Sequence, residues 1–95
     1  KNILVALRTL PRRYVIDGTM AVEYGPQDGC VVVLNGVKPL PPILYDPKLR
    51  QWKRIRFKQT PTIIRPLTGM ESVGRKAYIW TPSATHELNC RGIEP

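Results

Sequence analysis

Three observations predict an all-β fold for this chain. Ten prolines and seven glycines are spread over its 95 residues. β-Branched and aromatic residues gather in short runs, and turn signals separate those runs by about eight to twelve residues. An interior proline costs a helix about 3 kcal/mol, so short strands joined by ordered turns are the cheaper solution. A chain of this length supports a single core. The expected architecture is a small single-domain antiparallel β-barrel, OB-like or SH3-like, with a small β-sandwich as the alternative and with extended termini. Residues 1–80 are expected to form the β domain and residues 81–95 an extended or weakly ordered C-terminal tail.

The elements follow in order. Asn2 to Leu10 is apolar without a clear period; Leu4 to Leu10 fits one or two helical turns or an edge strand ending before Pro11, and the strand is the reading adopted. Arg12–Ile16 and Thr19–Tyr24 are the next runs, separated by Asp17-Gly18, a dipeptide suited to a type I′ hairpin turn with positive φ at both central residues. Met20, Val22 and Tyr24 share one face of the second run, opposite Thr19, Ala21 and Glu23. A loop over Gly25–Gly29 leads into Cys30–Leu34, five consecutive apolar residues. Such a run between turn signals fits a central strand covered on both faces. Asn35-Gly36 is a second hairpin-type dipeptide, so residues 12–37 read as an antiparallel meander. Lys38–Pro42 favours an extended polyproline segment acting as a rigid crossover. The P-x-x-P spacing of Pro39 and Pro42 is too common by chance to mark a ligand for a proline-recognition module.

Ile43 to Lys58 carries the chemistry. It reads as two strands, Ile43–Asp46 and Trp52–Lys58, joined by a turn over Pro47–Gln51 that proline after aspartate initiates. Period-two alternation puts Trp52, Arg54, Arg56 and Lys58 on one face and Lys53, Ile55, Phe57 and Gln59 on the other. Pro61–Arg65 is a further β-like run, and the LTGMESVG stretch is turn-rich, with bends at Gly69 and Gly74. Arg75–Trp80 forms a last strand in which Lys76, Tyr78 and Trp80 share a face. From Thr81 onward the β pattern fades.

Fifteen lysines and arginines against seven acids give a net charge of +8. A small protein this basic meets nucleic acid, an anionic surface or an acidic partner. Lys48, Arg50, Lys53, Arg54, Arg56 and Lys58 set six cations within eleven residues, with no acid among them. Cations in that density contact phosphates, which gives affinity without reading sequence. Trp52 beside Arg54 and Arg56 would add a stacking surface, and Tyr78 beside Lys76 a second. The candidate nucleic-acid-binding residues are therefore Lys48, Arg50, Trp52, Arg54, Arg56, Lys58, Lys76 and Tyr78, and Arg12 and Arg13 extend the basic patch if the topology brings them to it. Packing at a strand end is the competing role for Trp52 and Trp80.

Catalysis has little support. His86 is the single histidine, and its possible partners Ser83 and Cys90 lie in the same weakly patterned segment, where positioned chemistry lacks a rigid support. Asp17, Asp28 and Asp46 sit in turns, where hydrogen bonding to the backbone explains them. No metal ligand set and no phosphate-loop or dinucleotide glycine pattern is present, so no cofactor is expected. Cys30 and Cys90 are read as unpaired thiols of an intracellular, reducing compartment or of a particle interior, with one bridge as the alternative. No run reaches the length of a membrane span. The second functional reading is a structural subunit of a virion, phage particle or ribonucleoprotein, in contact with protein neighbours or with copies of itself.

Overall fold

The apolar run in the middle of the chain becomes the most buried strand. In β2 (Cys30–Asn35), the side chains of Val31, Val32, Val33 and Leu34 are all inaccessible to solvent, each contributing roughly 1.5–3 kcal/mol of burial. Their alternation sends Val32 and Leu34 into one core and Val31 and Val33 into another. A strand apolar on both faces needs a cover on both sides. The rest of the fold supplies the two covers.

The computed structural model describes residues 2–24, 29–57, 62–74, 76–89 and 93–94. β2 lies inside a four-stranded antiparallel sheet of order β1-β2-β3-β4, with β1 at Thr19–Tyr24, β3 at Ile43–Asp46 and β4 at Gln51–Arg54. A second antiparallel sheet has the order β6-β7-β8, at Gly69–Val73, Lys76–Trp80 and Thr85–Asn89. Between them β5 (Arg56–Phe57) pairs with β9 (Ile93–Glu94). The fold is thus mostly β, as expected. The sheets do not close into a barrel among the described residues: β5 leaves the first sheet and takes β9 as its partner. The radius of gyration is 12.3 Å, close to the ~12 Å expected for one compact body of this length.

The first core lies between the sheets. Tyr24, Val32 and Leu34 meet Ala77, Ile79 and Leu88, with Ile55 and Leu67 from the connecting segments. The Tyr24 hydroxyl reaches across to the Leu88 carbonyl at 3.3 Å. The second core covers the opposite face of the first sheet. Val31, Val33, Ile43 and Tyr45 pack there against Ala6 and Tyr14, with Ile3, Leu10 and Leu40 around them.

The cover on that second face corrects the reading of the N-terminus. Residues expected as an edge strand form the helix α1 (Asn2–Leu7), and Arg12–Tyr14 forms a 3₁₀ turn instead of a strand. The spacing of Ile3, Ala6 and Leu10 is helical and lays one side of α1 on β1 and β2. Pro11 then ends the helical path. The meander therefore begins at Thr19, not at Arg12.

Two turn assignments change for one reason. Asn35 is fully buried, and its side chain meets four partners. Its Nδ2 donates to the Asp17 carbonyl and to Thr19 Oγ1, both at 3.2 Å. Its Oδ1 accepts from the amides of Val37 at 2.9 Å and Lys38 at 2.6 Å. Asn35-Gly36 is thus an Asx turn into the crossover and not a hairpin tip. Asp17-Gly18 is not type I′ either, because Gly18 has φ +89° while Asp17 does not share a positive φ. Gly36 cannot carry a side chain comfortably: a Cβ would sit 2.9 Å from Met20 Cε and 3.3 Å from the Gly18 carbonyl oxygen.

Three later segments also depart from expectation. The turn-rich stretch yields β6, which pairs with β7 from Gly69↔Trp80 to Val73↔Lys76. Trp80 lies over the bare Cα of Gly69, 3.2 Å from where a Cβ would stand, so the glycine serves ring packing inside a strand. Thr85–Asn89, within the segment expected as a tail, is β8, and Leu88 enters the core. Residues 62–66 form no strand; Arg65 instead donates to the carbonyls of Asn35 at 2.7 Å, Leu40 at 3.3 Å and Ile63 at 3.4 Å. Burial lowers the pKa of Arg65, with Tyr14 acting in the opposite direction, and the guanidinium stays charged, as arginines in proteins do.

Replacing Asn35 with alanine strands the part-buried amides of Val37 and Lys38 and removes the donor to the Asp17 carbonyl and Thr19 Oγ1. The expected cost is about 2–4 kcal/mol, seen as a lower urea midpoint at unchanged m. Asn35→Asp keeps the acceptor, loses both donors and buries a charge, so it is destabilised most where the carboxylate is ionised. A loss below about 0.5 kcal/mol in Asn35→Ala, the range of surface substitutions, would show that the buried amide is not the anchor.

Candidate nucleic-acid interface

The basic hairpin forms as its sequence suggests, with one change. β3 and β4 pair from Ile43↔Arg54 to Asp46↔Gln51. The strand expected over Trp52–Lys58 divides at Ile55, whose side chain enters the core between the sheets and whose amide donates to the Pro42 carbonyl at 3.3 Å. Alternation survives the break: Ile55 and Phe57 pack inward, while Arg54 and Arg56 are exposed. Lys58 lies outside the described residues.

Lys48 and Arg50 are exposed on the connecting turn. Asp46 builds that turn, its Oδ1 accepting from the amides of Lys48 at 2.9 Å and Leu49 at 3.3 Å. Its Oδ2 lies 3.3 Å from Lys53 Nζ. Partial desolvation opposes ionisation of Asp46, but the two amides and the Lys53 ammonium outweigh it and hold its pKa below the ordinary value. Lys53 is thereby partly neutralised. Arg50 takes φ +52°, a left-handed conformation uncommon for a residue with a Cβ.

Trp52 is half-buried and serves both packing and surface. Its ring meets Tyr45, its direct cross-strand partner, at a centroid distance of 5.3 Å and a tilt of 56°. Its Nε1 donates to Thr9 Oγ1 at 3.1 Å, and Thr9 Oγ1 donates in turn to the Ala6 carbonyl at 3.1 Å. These contacts dock the hairpin on the end of α1.

Where hairpin and N-terminal cover meet, a cleft of about 260 Å³ opens. It is lined by Pro11, Arg13 and Tyr14 of the N-terminal cover, by Pro41 and Ile43, and by Trp52, Lys53 and Arg54 of β4. The Tyr14 hydroxyl donates to the Pro41 carbonyl, and the Arg13 guanidinium lies 5.6 Å from the Tyr14 ring centroid, within cation–π range. Among the described residues no carboxylate lines this cleft and none pairs with Arg13 or Arg54.

Lys76 and Tyr78 are elsewhere. They lie with Trp80 on the face of the second sheet turned away from the shared core, whereas Trp52 and Arg54 lie on the outward face of the first sheet. Tyr78 has Glu71 and Glu87 as cross-strand partners, and Lys76 Nζ lies 2.9 Å from Glu87 Oε1. Carboxylates around that tyrosine repel phosphate, so the two expected stacking surfaces do not form one site. Arg13, expected only as an extension of the basic patch if topology allowed, lines the cleft, and Tyr14 is the cleft residue that sequence reasoning did not select. Arg12-Arg13 before an aromatic was the available signal, but its spatial partner depends on topology.

His86 faces the shared core beside Ile79, and its Nε2 is buried without a hydrogen-bond partner. Cys90 lies outside the described residues, and with it the question of a bridge to Cys30. Among the described residues no three His, Cys, Asp or Glu side chains gather as a metal site, and no helix is long and apolar enough to cross a membrane. What fold and cleft define together is a basic two-sheet β domain with an aromatic-walled groove. No protein-family model, curated protein or solved structure matches the chain.

The lowered pKa of Asp46 gives a pH prediction. Its contribution is present above the unfolded value of about 3.9 and is lost as pH falls through the lower folded value. The Lys48 and Leu49 amide resonances should titrate together in that acid window. Asp46→Asn keeps the acceptor oxygen and should leave both amides bonded but abolish the titration. An unchanged acid transition in Asp46→Asn would assign it to another carboxylate.

Proposed function

We propose that the protein is a non-catalytic nucleic-acid-binding β domain that contacts the sugar-phosphate backbone through the outward face of the β3–β4 hairpin and the adjoining Arg12–Tyr14 turn. The observation that carries this reading is the cleft. Arg13 and Arg54 line it without carboxylate partners among the described residues, next to a half-exposed indole, in a chain of net charge +8. Unpaired cations gain most from phosphate, because binding releases condensed counterions and no internal ion pair has to be broken. Exposed Lys48, Arg50 and Arg56 extend the positive charge along the same hairpin and its continuation. Lys53 contributes less, held as it is by Asp46.

Fluorescence anisotropy with labelled DNA and RNA at ~50 and ~200 mM salt tests the proposal. Affinity should fall steeply between the two, and Arg13→Gln/Arg54→Gln should reduce the logarithmic salt slope by about one per arginine. Absence of binding to every probe at the lower salt would overturn it.

A second reading, a structural subunit of a large assembly, draws on the outer side of the N-terminal cover. Leu4 is 70% exposed, Val5 52% and Val15 67%. Apolar side chains so exposed favour a protein neighbour when they are contiguous. Under this reading the chain self-associates with rising concentration, and Leu4→Ser/Val15→Ser returns it to monomer in light scattering. A wild-type chain that stays monomeric throughout speaks against self-assembly.

A further inference from the structure

We infer that the cleft between the Arg12–Tyr14 turn and β4 takes one unpaired base of a single-stranded polynucleotide, with Trp52 as the stacking surface and Arg13 and Arg54 on the flanking phosphates. The inference rests on the nucleic-acid reading above and narrows it from backbone contact in general to single strands.

Size is the first argument. At about 260 Å³ the cleft lies just below the ~300–1,000 Å³ of small-molecule sites. It suits one planar heterocycle, whereas a duplex can only lie across its mouth. Wall chemistry is the second. A base offers a π-face only when unstacked, and every base offers one, so an indole in a cleft selects for unpaired strands without selecting sequence. In a duplex those faces are covered by neighbouring pairs, and exposing one requires flipping a nucleotide out of the stack. An indole set in a cleft adds nothing to contacts with duplex phosphates.

Preorganisation is the third argument. The indole is held by Tyr45 and at its nitrogen by Thr9, so little ring freedom remains to be lost when a base arrives. Arg13 is likewise held near the Tyr14 ring. Two guanidiniums and an indole in the lining of one cleft, with no acid among its described lining residues, match a base with its phosphates on either side. The other aromatic surface fails the same conditions, since Glu71 and Glu87 flank Tyr78.

The test uses the Trp80→Phe chain, in which Trp52 is the one emitting indole. Unlabelled single strands of ~12 nucleotides, within the range of small single-strand sites, are titrated as oligothymidylate and oligouridylate beside a DNA duplex of equal length. Both intrinsic emission and competition against a labelled probe are read. We expect quenching of Trp52 by single strands only, and single-strand affinity about tenfold above duplex. The sugar giving the tighter complex separates DNA from RNA. Trp52→Leu, which keeps an apolar contact to Tyr45, should lose about tenfold on single strands and nothing on duplex. The quenching experiment stands without that variant should it fold poorly. Equal, salt-sensitive binding of single strand and duplex with unchanged emission overturns the inference and leaves the nucleic-acid reading intact. No binding to any strand overturns both.

Discussion

The buried amide of Asn35 is the constraint on which the structure depends. A strand that ends deep in the protein leaves its next amides without ladder partners, and unpaired buried amides cost about as much as a lost hydrogen bond. Asn35 resolves this with one side chain, accepting from the two amides of the departing crossover and donating to the turn that precedes β1. Its backbone oxygen takes Arg65, and the adjacent Gly36 exchanges hydrogen bonds with Gly18 and Leu67. Three segments distant in sequence converge there. Thr19 continues the chain of bonds, accepting from Asn35 and donating to the Tyr14 carbonyl at 2.6 Å. The position of the 3₁₀ turn is thus set from the end of β2.

That convergence creates the cleft. The N-terminal segment covers the outer face of the first sheet over β1 and β2, and the hairpin of β3 and β4 continues past it. The seam between cover and hairpin is open at Arg13 and Arg54 and is pinned at one point by the Trp52–Thr9 hydrogen bond. A half-buried tryptophan at such a seam has one side committed to packing and another available. Trp52 is accordingly packed on Tyr45 and bonded to Thr9 while it remains half-buried in the cleft lining.

The positive charge sorts into three kinds. Arg65 is structural, a guanidinium whose donors end on backbone carbonyls at the crossover. Lys53 and Lys76 are matched by Asp46 and Glu87. Arg13 and Arg54 have no carboxylate among the described residues and frame the cleft. Net charge counts all of these alike; Arg8, Arg12, Lys38, Lys48, Arg50 and Arg56 likewise have no carboxylate partner among the described residues, and what sets Arg13 and Arg54 apart is that they line the cleft.

Much of the fold was legible in the sequence because its signals are local. The apolar run of β2 announced a strand covered on both faces, alternation in Thr19–Tyr24 sorted its side chains, and Asp46-Pro47 announced the β3–β4 turn. What covers β2 was not legible. Asn2–Leu10 has weak propensity either way, and the helix is chosen because the Val31 and Val33 face needs Ile3, Ala6 and Leu10 on one side. Short polar stretches such as Gly69–Val73 and Thr85–Asn89 become strands because β7 supplies the ladder between them. The hairpin half of the cleft, Trp52 and Arg54, was readable from period two. The other half, Arg13 and Tyr14, is brought to them by contacts across some forty residues, and no local pattern encodes a contact of that range. Sequence alone determined the β character of the chain, its central two-faced strand and its cations; tertiary packing decided what covers that strand, which polar stretches join β7 as strands, and which aromatic the cations lie beside, because all three depend on which distant segments share a surface.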